Sequence, residues 1–140
     1  MKIDAKYQLD ACAVRDDGSG SALCHIYVTS GKAMASNRSM LAIAPCELDE
    51  TDVPGLISVV AFAAARKLAG RHGFITLALQ EDTILLTDGR TFPRPSGEYP
   101  EFLQCVPPRD AIGTASSLAF NPALLALLTR GLGSPYRIHI

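Results

Sequence analysis

The sequence predicts an α+β fold: antiparallel sheets of short strands with two helices on one face. Three observations lead to it. Apolar residues alternate in short runs such as "FITLALQ" (74–80) and "TILLT" (83–87), and the spacers between runs are turn-forming Gly, Asp, Ser and Asn, too short for parallel crossovers. Two stretches break that period, "AFAAARKLAG" (61–70) and "NPALLALLTRGLG" (121–133), where helix-forming Ala and Leu lie between start and stop signals. The chain has 140 residues, 48% apolar and 19% charged, which is one ordinary domain. At that size folding removes roughly 68% of the unfolded chain's surface from water, so residues 1–140 are read as a single domain needing no disulfide or metal staple.

The elements follow in order. "KYQLDACAV" (6–14) alternates loosely and ends in the turn cluster "RDDGSGS". "ALCHIYVT", "KAMAS" and "MLAIAPCEL" then read as a meander of hairpins, split by Ser-Gly and by "NRS". After the acidic link "DETD" and Pro54, "LISVV" is a strand that runs into a helix from Ala61 to the stop at Gly70, with Arg66 and Lys67 placed to suit the helix C-terminus. Three more strands follow, and Pro93 and Pro95 confine "RTFPRP" to an edge or a strand end. Asn121 is an N-cap with Pro122 at the first helical position, and "YRIHI" closes the chain as a strand. Strand-helix repeats are thus expected at 56–95 and 116–140.

Composition narrows function mainly by exclusion. A formal charge of −1 rules out a uniformly basic nucleic-acid binder but leaves room for a basic patch balanced elsewhere. The N-terminal "MKIDAKYQLDACAV" has no apolar core of signal-peptide length, and the longest apolar run, around 56–65, is too short to span a bilayer. A cytoplasmic location with no membrane partner is the expectation. Cys12, Cys24, Cys46 and Cys105 form no C-x-x-C pair and read as reduced small hydrophobes.

Enzyme signatures do not assemble. Gly31-Lys32 lacks the earlier glycine and the following Ser or Thr of a phosphate loop, since Ile26 and Ala33 stand there. Cys24 and His25 are neighbours on an expected strand and point to opposite faces, so they do not pair as nucleophile and base. His72 and His139 are isolated, and Asp49, Glu50 and Asp52 read as a solvated turn rather than a metal site. No catalytic, cofactor or metal site is expected, with a hydrolase or transferase using Cys24 or Cys105 as the remote alternative.

In their order and spacing these pieces resemble the bacterial sliding clamp family, the beta subunit of the replicative DNA polymerase III. "ASNRSMLAIA" stands where that family has a "TDGHRLA"-like turn, "LISVVAFAAARKLAG" at its strand-helix, "FITLALQEDTILLTDGRTF" at its next three strands, and "GEYPEFLQCVPP" at its "GRFPDY...P"-like connector. "FNPALLALL" is similar to its "FN-x-x-YL-x-x-L" helix start, and the match spans most of residues 20 to 132. The resemblance implies a DNA-clamp-like domain of two strand-helix-three-strand repeats, helices facing DNA and sheets outside, divergent or permuted here. This chain is expected to lack the first strand-helix and to fill its place with the element at 116–132, from the same chain or from a neighbouring copy.

The resemblance also implies a function. Clamps are not enzymes; they encircle duplex DNA without reading sequence and tether replication-type protein partners. A weakly positive concave surface is the physical requirement. The candidate DNA-binding residues are Arg66, Lys67 and Arg71 at the end of the first helix, Arg130 at the end of the second, and Arg38 in the turn. Met40, not an arginine, occupies the family's DNA-facing position, with Arg38 two residues away. One domain is a fraction of a six-domain ring, so a homo-oligomer is expected. The alternative is an oligomeric clamp-fold scaffold that binds proteins and has lost DNA encirclement. The connector is read as a stiff strap, with Tyr99 and Phe102 anchoring it to the sheets and Pro100, Pro107 and Pro108 restricting it.

Overall fold

The computed structural model describes residues 1–16, 18–105, 108 and 121–133. Strand β1 is Lys2–Asp4, followed by 3₁₀ turns at Leu9–Ala11 and Ala22–Cys24; then come β2 (His25–Thr29), β3 (Lys32–Ser36), β4 (Leu41–Pro45) and β5 (Gly55–Ser58). Helix α1 spans Val59–Ala69, and β6 (Phe74–Leu79), β7 (Thr83–Leu86) and β8 (Thr91–Pro93) complete the sheets. A 3₁₀ turn at Phe102–Cys105 and helix α2 (Pro122–Leu132) follow.

Two antiparallel sheets form, ordered β4-β3-β2-β5 and β1-β6-β7-β8. Each is a three-strand meander completed by a strand from the other half of the chain. β5 pairs with β2, Ile57 opposite Ile26, and β1 pairs with β6, Ile3 opposite Ile75. The halves therefore exchange their leading strands, which ties them into one core. Period-two burial explains the strands: Ile75, Leu77 and Leu79 of β6 and Ile84 and Leu86 of β7 turn inward, while the residues between them are more exposed. β8 is at a sheet edge, where Pro93 removes no ladder bond from a central strand.

The second half has α1 between its leading strand and its meander; the first half has two 3₁₀ turns at that place, Ala22–Cys24 and, before it, Leu9–Ala11. Both helices pack against the earlier turn, α1 also on β6 and α2 also on β4. α2 of the same chain thus lies against the first half, on the Leu9–Ala11 turn and β4. Gly131 makes this contact close, because a Cβ there would overlap Cys12 Sγ. Phe62 of α1 is fully buried among Leu9, Ile57, Ile75 and Leu77 of one continuous core. Truncating such an aromatic costs about 3–5 kcal/mol.

Three polar links join the sheets. Lys2 and Glu47 exchange backbone hydrogen bonds at 2.7 and 2.8 Å, Val53 N–H donates to Leu79 O, and Arg94, beyond β8, donates to Leu56 O of β5.

Several expectations are corrected here. The leading strand is present at Lys2–Asp4, and the loosely alternating residues 6–14 contain the 3₁₀ turn Leu9–Ala11; β1 gains its pairing from β6, some seventy residues away, which local pattern does not reveal. α1 begins at Val59, two residues before Ala61, because Ser58 Oγ accepts from Val60 N–H and caps the helix before its β-branched first turn. Asp52 is no solvated turn residue: its carboxylate is almost fully buried, accepting from Leu79 N–H at 2.8 Å, from Asp49 N–H at 2.9 Å and from the Met1 amine. Burial pushes its pKa up, and these donors outweigh burial and hold it below the ordinary carboxylate value. The expected strands at 116–120 and 136–140, with Pro107 and His139, lie outside the described residues.

Candidate nucleic-acid interface

The two helices bring their C-terminal ends together. α1 runs from its Ser58 cap to Gly70 with Arg66 and Lys67 in its last turn, and α2 runs from its Asn121 cap to Gly133 with Arg130 in its last turn. The segment after β1 holds them: Gln8 N–H donates to Gly131 O at 2.8 Å, and Gln8 Oε1 accepts from Arg130 Nε at 3.1 Å. Gly133, at φ 62°, lies so close to the Lys6 backbone that a side chain would collide with it.

Between these ends runs an open groove lined by Lys6, Gln8, Arg66, Lys67, Arg71 and His72, with Gly70 and Gly133 at the two caps. Each helix C-terminus carries a partial negative charge of roughly half an electron, so cations stabilise the ends locally. The number present exceeds that need. Lys6, Arg66, Lys67, Arg71 and, through Gln8, Arg130 gather here against the carboxylates of Asp4 and Asp10. Lys6 Nζ lies 3.2 Å from Asp4 Oδ2, and Arg66 Nη2 lies 2.9 Å from Asp10 Oδ2. Lys67 and Arg71 are exposed and have no ion-pair partner among the described residues. The Lys6 N–H, bonded to Asp4 Oδ1, and the paired ammonium lower the Asp4 pKa, while that carboxylate raises the pKa of Lys6.

Of the five residues expected from sequence, Arg66, Lys67, Arg71 and Arg130 meet at this place. Arg38 does not line the groove. It occupies the β3–β4 turn at φ 75°, its N–H held by Ser36 Oγ at 3.2 Å, with an exposed side chain. Lys6, Asp10 and His72 were missed. Lys6 and Asp10 come near the helix ends through β1 pairing with β6 and the 3₁₀ turn after it, which no local pattern signals, whereas His72 is there because it follows Gly70 and Arg71 in the chain.

Burial holds two of the cysteines, Cys12 and Cys46, as neutral thiols. Burial raises the Cys12 thiol to about 11, with the Asp10 charge adding to it, and burial likewise raises Cys46. Cys24 is buried at the end of a 3₁₀ turn, its Sγ facing Arg15 O at 3.8 Å, while the adjoining His25 keeps a buried Nδ1 with no hydrogen-bond partner among the described residues and a pKa lowered by burial. Among the described residues no group of three or more His, Cys, Asp or Glu could hold a metal ion, and no helix is long and apolar enough to cross a membrane.

On the sheet side, residues 99–104 of the expected strap lie against β2 and β3. Tyr99 stacks on Tyr27 of β2, with ring centroids 5.1 Å apart, and Phe102 meets Tyr99 edge-on at 5.7 Å. A second groove opens beside them, lined by Met34, Pro100, Leu103 and Gln104. Comparison with family models, with curated proteins and with solved structures finds no match to the chain.

Proposed function

We propose that the protein is a non-enzymatic, DNA sliding-clamp-like module that associates with duplex DNA without reading its sequence and serves replication-type protein partners as a homo-oligomer. The observation that carries this reading is the groove at the converging helix ends, where five cations face two carboxylates and Lys67 and Arg71 stand exposed. Long, flexible Lys and Arg chains on a shallow surface attract phosphates while making no base-specific contact, which is what a mobile DNA associate requires. Two sheets that exchange leading strands, with α1 in the second half and α2 packed against the first, are consistent with the two-repeat clamp domain. The test is duplex binding by fluorescence anisotropy at low salt, with Lys67→Gln/Arg71→Gln beside the wild type. Binding that weakens in the variant supports the reading, and indifference of the wild-type protein to duplex sinks it.

A second reading, a clamp-fold scaffold that binds proteins and has lost DNA, is favoured by one feature. Val60 and Leu68 of α1 are 62% and 45% exposed, apolar side chains on the same helix as Lys67. A defined oligomer by light scattering, combined with no duplex binding, selects this alternative.

A further inference from the structure

One contact in the groove works against its positive charge. Asp10, on the 3₁₀ turn Leu9–Ala11, places Oδ2 2.9 Å from Arg66 Nη2, and both side chains are largely sheltered, at 16% and 26% exposure. The pair uses one arm of each fork: Asp10 Oδ1 and Arg66 Nε are both buried and make no hydrogen bond among the described residues. Asp10 also lines a neighbouring groove along α1 with Lys67 and Arg90, so its charge is shared between the two surfaces. A carboxylate bound to a guanidinium fills the position that a phosphate oxygen would otherwise take.

We infer that Asp10 is an internal counter-ion that holds down the phosphate affinity of this groove, leaving Lys67 and Arg71 as the working contacts and keeping Arg66 in reserve. The inference rests on the phosphate-binding reading of the groove and deepens it, because it names the residue that keeps the grip weak. Removing the charge at residue 10 adds one phosphate contact. On B-DNA each contact steepens the dependence of log affinity on log salt by roughly 0.9, equivalent to about five- to tenfold tighter binding near 0.1 M salt.

The experiment is anisotropy with a short duplex of mixed sequence, measured on the full chain as wild type and Asp10→Asn, with thermal melting in parallel. The amide keeps an oxygen for Arg66 and so preserves the local geometry. Tighter binding by five- to tenfold with the steeper slope is the expected result. A wild type that binds while Asp10→Asn binds no better overturns the inference and leaves the groove reading intact; absence of binding by both overturns the two together. Should Asp10→Asn fold poorly, a charge-conserving double variant decides. Asp10→Asn/Arg66→Gln removes a neutral pair and should lose less than about twofold while Lys67→Gln loses about five- to tenfold; equal losses contradict the inference.

Discussion

The ring of Tyr99 lies nearly flat on that of Tyr27, the planes only 7° from parallel. This stack fastens the strap to β2, and Pro100 directly after it restricts Tyr99 to extended backbone. Burial raises the Tyr99 phenol to about 12, and its hydroxyl faces the Ser36 main chain without an ordinary hydrogen bond. The ring, not the hydroxyl, is therefore the anchor. Tyr99→Ala should lower unfolding free energy by about 2–4 kcal/mol and Tyr99→Phe by less than about 1 kcal/mol, read from urea denaturation. Equal losses would assign the stability to the hydroxyl.

Arg94 joins the sheets through backbone carbonyls alone. Its Nε donates to Leu56 O at 3.2 Å and its Nη1 to Gln80 O at 2.6 Å, with Nη2 on Val53 O. Arg94→Met keeps much of the length and removes the donors, leaving partly buried carbonyls unpaired; a loss of about 2–4 kcal/mol in chemical denaturation is expected. A melting temperature unchanged from wild type would show the link to be incidental.

Gly131 lets α2 meet the Cys12 turn, since any side chain there overlaps Cys12 Sγ. Gly131→Ala should destabilise by about 1–3 kcal/mol through overpacking, and adding Cys12→Ala should restore part of that loss because the sulfur is what the methyl meets. A strictly additive double variant would mean that α2 does not pack on Cys12.

Much of the architecture was legible where the determinants are local. The alternation of β6, the Gly70 stop of α1, the Asn121–Pro122 start of α2 and the edge position of β8 all follow from side chains within a few residues of one another. What escaped is long-range. β1 is three residues long and exists as a strand through β6, and Asp52 looks solvated in sequence yet becomes a buried acceptor through Leu79 and Met1. The groove divides the same way: helix-end cations are visible as such, whereas Lys6 and the opposing Asp10 join them only after the chain has folded.

Stability should fall on both sides of neutrality. His25 titrates at about 6.5 when unfolded and lower when folded, because burial disfavours its cation; the stability it contributes is present above that pH and lost as pH falls below it. Asp52, also depressed, adds a loss as pH falls below its ordinary 3.8. Cys12 and Tyr99 are raised, to about 11 and about 12, so their contributions are intact below their ordinary values of 9.0 and 10.0 and are lost as pH rises through the folded ones. Melting temperature against pH should show the first decline beginning near 6.5, flattened in His25→Gln, and an alkaline decline weakened in Cys12→Ala. A His25→Gln profile that matches wild type between pH 5 and 7 would remove His25 from the acid limb.

The groove at the helix ends is the centre of the functional account, and its salt dependence is the most direct measure. Duplex affinity followed from about 50 to 300 mM salt should fall linearly on logarithmic axes, and Lys67→Gln/Arg71→Gln should flatten that slope by about 1.8, two contacts at roughly 0.9 each. A slope identical in wild type and variant, or no measurable duplex binding at the lowest salt, would contradict the account.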